Sequence, residues 1–199
     1  MISKTVSHTI LLIIIIWQSN SAFAVEVKPI LGMGFDFGGE KLAEFQYENG
    51  DTSSVKSHEG LNLYGGLKII THQYLETNIS VGWKFGSTEQ AENGDAEFTR
   101  FPIEALFFLR EGGHRIGGGI SYHKSPKFSC EIDGICDFEA PFKDSLGYIF
   151  EYQYMLERNE IMKAGYFLGF RYTKRDYQLK NIDEEIPASG IGFIFGLTF

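Results

Sequence analysis

Large apolar residues recur at every second position along most of this chain, and residues 190–199 show the pattern at its cleanest. Ile191, Phe193, Phe195, Leu197 and Phe199 hold one parity, and glycine fills most of the other. A period of two is the side-chain repeat of a β-strand, whose successive residues point to opposite faces. The same alternation predicts seven more strands, at 25–38, 61–70, 75–86, 100–110, 115–123, 146–154 and 162–173. In 75–86, for example, Leu75, Ile79, Val81, Trp83 and Phe85 oppose Glu76, Asn78, Ser80, Gly82, Lys84 and Gly86.

Eight strands joined in sequence make an all-β, antiparallel, up-and-down sheet that can close into a barrel. The connections after the second, fourth and sixth strands are short, and those after the first, third, fifth and seventh are long and polar. Turn signals punctuate them: Gly38-Gly39, Asn49-Gly50 after Phe45 and Tyr47 in a predicted hairpin, and Asn93-Gly94. Pro102 cannot donate to a ladder and a closed sheet has no free edge, so a bulge or the barrel mouth is expected there. Residues 124–143 read as an irregular loop.

Alternation alone does not say which face points inward. One face carries glycines and charges (Lys28, Asp36, Lys68, Glu76, Lys84, Arg100, Glu104, Arg115, Glu151, Lys163, Arg171), and the other is rich in aromatics. Charges packed beside glycines suit a narrow lumen, and a broad apolar face with rings suits lipid. Alternating short and long connections are those of an outer-membrane barrel. The expected fold is therefore an eight-stranded antiparallel transmembrane β-barrel with its apolar face outward.

Composition refines that picture. Residues 1–24 carry Lys4, an apolar run from Ile10 to Trp17 and the ending Ala22-Phe23-Ala24, the pattern of a cleaved secretory signal too short to span a membrane. That leaves residues 25–199 as one barrel domain, with no apolar run approaching the roughly 18 residues of a spanning helix. The net charge of −8 and the lack of a basic cluster argue against nucleic acid as a partner. Cys130 and Cys136, the only cysteines, are expected to form a disulfide in an exported loop. No histidine pair stands near them at ligand spacing, so neither a metal nor another cofactor is expected.

With its leader, alternating strands and terminal phenylalanine, the chain resembles the small outer-membrane β-barrels of Gram-negative bacteria: the outer membrane protein A transmembrane domain, outer membrane proteins X and W, and the opacity proteins. That resemblance rests on architecture and covers the whole of 25–199. It implies a cell outer membrane location, contact with membrane lipid and lipopolysaccharide, and a monomer. It also implies that the barrel assembly machinery reads the C-terminal strand, here through Phe193, Phe195, Leu197 and Phe199. The leading expectation is a non-enzymatic surface protein whose loops and rim meet lipopolysaccharide or external partners.

Two chemical readings compete with it. His123, Ser125 and Glu139 at the outer end of the fifth strand could make an acyl-transfer site. A His-x-Ser there is similar to the outer-membrane lipid A deacylases, although Pro126 stands where that family has asparagine. A narrow channel for small or apolar solutes is the other alternative, set against an interior only wide enough for side chains. Arg100, Glu104, Arg115, Glu151, Lys163 and Arg171 are expected to neutralise one another as a lumen charge network.

Overall fold

Each segment with period-two alternation is a strand in the computed structural model of the chain, which describes residues 25–46, 52–87, 94–156, 164–183 and 185–199. The expected leader (1–24), Lys163 and most of the Asn49-Gly50 and Asn93-Gly94 turns lie outside the described residues. Thirteen strands follow in order: β1 (Glu26–Gly38), β2 (Lys41–Gln46), β3 (Thr52–Lys56), β4 (Gly60–His72), β5 (Leu75–Ser87), β6 (Gly94–Glu111), β7 (His114–Ile132), β8 (Cys136–Pro141), β9 (Ser145–Met155), β10 (Gly165–Lys174), β11 (Asp176–Gln178), β12 (Glu185–Pro187) and β13 (Gly190–Thr198).

Eight of them, β1, β4, β5, β6, β7, β9, β10 and β13, pair antiparallel with their neighbours in the chain order of the barrel. The terminal strand closes the ring on the first, from Ile30 opposite Thr198 to Gly38 opposite Gly190. Full closure leaves no unpaired edge in the wall.

The wall is inside out relative to a water-soluble barrel. Leu31, Phe35, Leu67, Ile79, Val81, Ile103, Phe107, Ile116, Phe150, Phe170 and Phe193 are all exposed on its outer surface, while Asp36, Lys68, Glu76, Lys84, Glu104, Glu151 and Arg171 are buried within. Outward aromatics gather near both ends: Tyr74 and Tyr154 by the short turns, and Phe37, Trp83, Phe101, Tyr122, Tyr148 and Tyr172 by the long connections. Two girdles around an apolar band are the signature of a barrel wall matched to lipid. Glycines on the inner face open space for the long side chains: a Cβ at Gly192 would collide with the Asp36 carboxylate, and one at Gly32 with the Tyr64 ring.

The long connections depart most from expectation. Residues 124–143 are not an irregular loop: β7 runs on to Ile132 and turns back as β8, pairing Lys127 with Pro141 through Ile132 with Cys136. Both cysteines therefore belong to a ladder rather than lying outside the sheet, and the Cys130–Cys136 disulfide links the two strands of this tongue. β6 likewise starts at Gly94 and pairs along the extended β7. The pairing slips between Thr99 and Phe101, where Ser125 and Pro126 stand opposite one residue, Arg100, and Ser125 takes φ 47°. Pro102 sits next to this bulge, which carries Pro126 as well.

Hairpins β2–β3 and β11–β12 complete the long-connection end. Their inward residues join the tongue in one apolar core, with Val55, Ala96, Phe98, Phe128, Cys130, Ile132, Phe142, Tyr177 and Ala188 all buried. Phe98 packs edge-on against Phe142 and Tyr177, each at 5.3 Å between ring centroids. This cap is a second hydrophobic core, seated on the barrel mouth.

Candidate functional site: a filled lumen beneath a closed cap

Burying charges inside a narrow barrel requires that each find partners. Arg171 on β10 is central. Its Nη2 lies 3.0 Å from Glu104 Oε2 on β6 and 2.7 Å from Glu151 Oε2 on β9, the latter directly opposite it in the ladder. The Gln153 side chain donates to Glu151 and the Ser121 hydroxyl to Glu104, at 2.6 and 3.1 Å. Beside them Leu106, Phe108 and Ile149 form a buried apolar patch.

Toward the cap, Lys84 Nζ pairs with Asp36 Oδ2 at 2.8 Å. The cavity bounded by Asp36, His58, Asn62, Lys84, Glu104, His123 and Arg171 holds only about 10 Å³, less than one water. Above it Arg100, fully buried, makes no use of the carboxylates expected for it. Its guanidinium donates to the carbonyls of Phe98, His58 and Glu59, and lies over the Phe98 ring. Arg175 does similar work for the carbonyls of Ser145 and Ser121. These two arginines tie the connection strands to the barrel rim. His58, wedged between Asp36 and Lys84, is pushed down to about 2 by burial first and by the Lys84 charge next, so it is neutral in the folded protein.

At the short-turn end Arg115 Nε lies 3.2 Å from Glu76, and Lys68 and Arg110 reach the same carboxylate at 3.3 and 3.5 Å. Arg115 thus belongs to a separate group from Arg171. Glu76 and Lys68, although on the charged face, could not be assigned to it from sequence because only strand register brings them to Arg115.

The residues of the acyl-transfer alternative are not brought together. His123 is buried in the lumen, where its Nδ1 shares a hydrogen bond with the Tyr177 hydroxyl. Ser125 lies on the exposed side of the bulge and donates its main-chain N–H to Asp144 at 2.8 Å. Glu139 pairs with Lys127 at 2.6 Å on the outer surface of the tongue. Asp144 also accepts from the Tyr122 hydroxyl at 2.6 Å, and these two hydrogen bonds, Tyr122's first, hold its carboxyl below the usual range. Among the described residues no group of three or more His, Cys, Asp or Glu side chains could hold a metal.

Outside the lumen, exposed lysines stand beside and beyond the outward rings on one side of the rim. Lys174 is the ladder partner of Tyr148, and Lys124 follows Tyr122 by two residues on β7. Lys143 and Lys180 are exposed in the connections beyond them.

No family profile and no curated protein matches the sequence. Solved structures do match. Ail, the attachment invasion locus protein of Yersinia pestis, superposes with a TM-score of 0.50 at 16% identity, over 87% of this chain and 97% of that one. OprG from Pseudomonas aeruginosa gives 0.48 at 14% identity, covering 87% and 95%. AlkL, solved in DMPC lipid bilayers, gives 0.48 at 13% identity, covering 87% and 90%. The likeness to Ail and the closed ring of eight strands with charges within and apolar side chains without agree, and the chain has the fold of the small eight-stranded outer-membrane β-barrels.

Proposed function

We propose that this protein is a non-enzymatic barrel of the cell outer membrane that acts from its outer surface, its lysine-bearing rim holding the phosphates of lipopolysaccharide. The observation that supports this most is the closed long-connection end. A lumen filled by Asp36, Lys84 and Arg171 under a packed aromatic cap offers no path for a solute, so function falls to the outside. In the orientation usual for such barrels the short turns face the periplasm and the cap faces outward.

Lys124 and Lys174 then stand where the headgroups of the outer leaflet lie, two residues beyond Tyr122 and Tyr172 and level with Tyr148. Lysine near an anionic surface contributes about 1 kcal/mol each, and interfacial rings fix the depth. Beyond the membrane, the tongue presents Ile135 and Phe138, both more than half exposed, to an external partner.

The test is native mass spectrometry of the barrel extracted from lipopolysaccharide-containing membranes. Lipopolysaccharide should co-purify with the parent and be lost from a Lys124→Glu, Lys174→Glu double variant, and the lipid A mass should be unchanged after prolonged incubation. Equal retention by the two proteins would refute the rim assignment; loss of an acyl chain would make the protein an enzyme. Planar-bilayer recordings should show no steady conductance.

A further inference from the structure

The short-turn mouth, unlike the capped one, is hollow. A cavity of about 170 Å³ opens there, lined by Lys28, Lys68, Glu76, Arg110, Arg115 and Thr198 with Met155 beside them. Its charges do not balance. Lys68, Arg110 and Arg115 share one carboxylate, that of Glu76, while Lys28 at the opening pairs with Glu26 at 2.9 Å. Lys68 and Glu76 are each only 2% exposed and Arg115 6%, and even against the main-chain carboxylate of Phe199, which also lines the cavity, positive charge is in excess in its wall. Deeper in the lumen two carboxylates flank Arg171 and Lys84 has Asp36, while Arg100 and Arg175 give their donors to main-chain carbonyls.

Polar atoms around the same space lack hydrogen bonds. The Thr198 hydroxyl, on a residue 7% exposed, has no hydrogen-bond partner among the described residues, nor has Glu76 Oε1, and Arg110 Nε is ion-paired with Glu76 at 3.5 Å without a hydrogen bond. Lys68 Nζ turns one of its donors on the Met155 sulfur at 3.7 Å, a weak acceptor for an ammonium. An arrangement of two guanidinium groups, an ammonium and a hydroxyl around an open cavity is what a tetrahedral oxyanion requires: several donors converging from different sides, with charge to match.

We infer that this mouth is a binding site for a small oxyanion of the phosphate monoester class, entering from the short-turn side. The anion's charge offsets the excess carried by Lys68, Arg110 and Arg115 over Glu76 and the Phe199 carboxylate. The bound oxygens accept from Arg110 Nε and the Thr198 hydroxyl, and Lys28 covers the opening. This site is independent of the lipopolysaccharide reading, since it lies at the other end of the barrel and on its inside.

Met155 supplies a local reporter, because its ε-methyl lies on the cavity wall while Met33 lies on the lipid side of β1. With methyl-labelled methionine in a neutral detergent, inorganic phosphate is titrated in one arm and a short-chain phosphatidic acid in the other, with the matching phosphatidylcholine as control. The Met155 signal should move saturably, and that of Met33 should stay. A response to inorganic phosphate identifies a free anion as sufficient; a response to phosphatidic acid alone identifies a lipid headgroup as the source. Arg110→Gln, on a partly exposed side chain, should weaken the affinity about tenfold, and Lys28→Gln should weaken it less. No Met155 response to either probe, a response equal to that of phosphatidylcholine, or one unchanged in Arg110→Gln would overturn the site.

Discussion

Arg171 and Glu151 face each other across neighbouring strands with 2.7 Å between Nη2 and Oε2, and the same Nη2 reaches Glu104 at 3.0 Å. One cation therefore compensates two carboxylates, on β6 and β9, the two strands that flank β7. Removing it strands both. Arg171→Met should cost about 3 to 5 kcal/mol, the usual penalty for leaving a buried partner uncompensated. Glu151→Gln, which leaves Arg171 paired with Glu104, should cost clearly less, and Ile79→Val on the lipid side less still. Urea unfolding in lipid vesicles orders the three; if Arg171→Met is as stable as the parent, the lumen is hydrated and the pair is incidental.

The cap has its own core, so it should come apart on its own. Cys130 is 2% exposed in that core and its disulfide closes a short ring, worth about 2 kcal/mol by the loop-entropy relation. Replacing both cysteines by alanine, or Phe98 by alanine at about 3 to 5 kcal/mol, should expose the tongue to protease. The barrel should still migrate as a folded species in unheated gels, because the ladders of its eight wall strands are untouched. Conductance should stay absent as well, since the Asp36–Lys84 layer beneath the cap still fills the lumen. A steady current after the Phe98 change would place the seal in the cap instead.

The wall was legible in the sequence and the cap was not, and β7 shows why. Within the barrel its inward residues are Arg115, Gly117, Gly119, Ser121 and His123, all of one parity. Beyond Ser125-Pro126 the buried residues are Pro126, Phe128, Cys130 and Ile132, of the other parity. The extra residue of the bulge turns the strand over, so a regular alternation looks like the end of a strand. On β6 the parity holds but the chemistry changes: Glu104 and Arg100 point into the barrel, and Phe98 and Ala96, on the same face, point into the cap. Charges line the inside where the outside is lipid, and apolar side chains line it where the outside is water. Three-residue strands such as β11 and β12 are too short for any period to show. The lumen charges could be named from their face, but their partners could not: that Arg115 meets Glu76 while Arg171 meets Glu104 depends on register around the ring.

His58 gives the cap a pH dependence whose sign follows from its surroundings. Burial, then the Lys84 charge, push it from 6.5 to about 2 in the folded protein. Between those values the unfolded chain binds a proton that the folded one does not, so stability rises with pH across that window and is fully present above about 6.5. On acidification below 6.5 the cap should lose about 1.4 kcal/mol per pH unit. Its main-chain carbonyl is held by Arg100 at 3.0 Å, so the loss should appear first where the β3–β4 connection meets β6. The urea midpoint for protease resistance of the cap should be lower at pH 5 than at pH 7, and His58→Asn should reduce the difference. A difference of the same size in the variant would assign the effect to another group.

Phe199 separates stability from recognition. Its N–H donates to the Pro29 carbonyl at 3.2 Å, one bond beyond the β1–β13 ladder, and its ring is half exposed on the outer surface. Deleting it removes a single hydrogen bond, about 0.5 to 1.5 kcal/mol, and one lipid-facing ring from a wall that has many. Spontaneous folding of the purified chain into vesicles should therefore be nearly unaffected, with a urea midpoint close to the parent's. If the terminal alternation of Phe193, Phe195, Leu197 and Phe199 is what the assembly machinery reads, the same deletion in cells should lower folded barrel in the outer membrane severalfold and leave unfolded chain in the periplasm. A small effect in vesicles with a large one in cells can only come from recognition. Equal losses in both would make Phe199 a structural residue, and no loss in either would remove the terminal strand as an assembly signal.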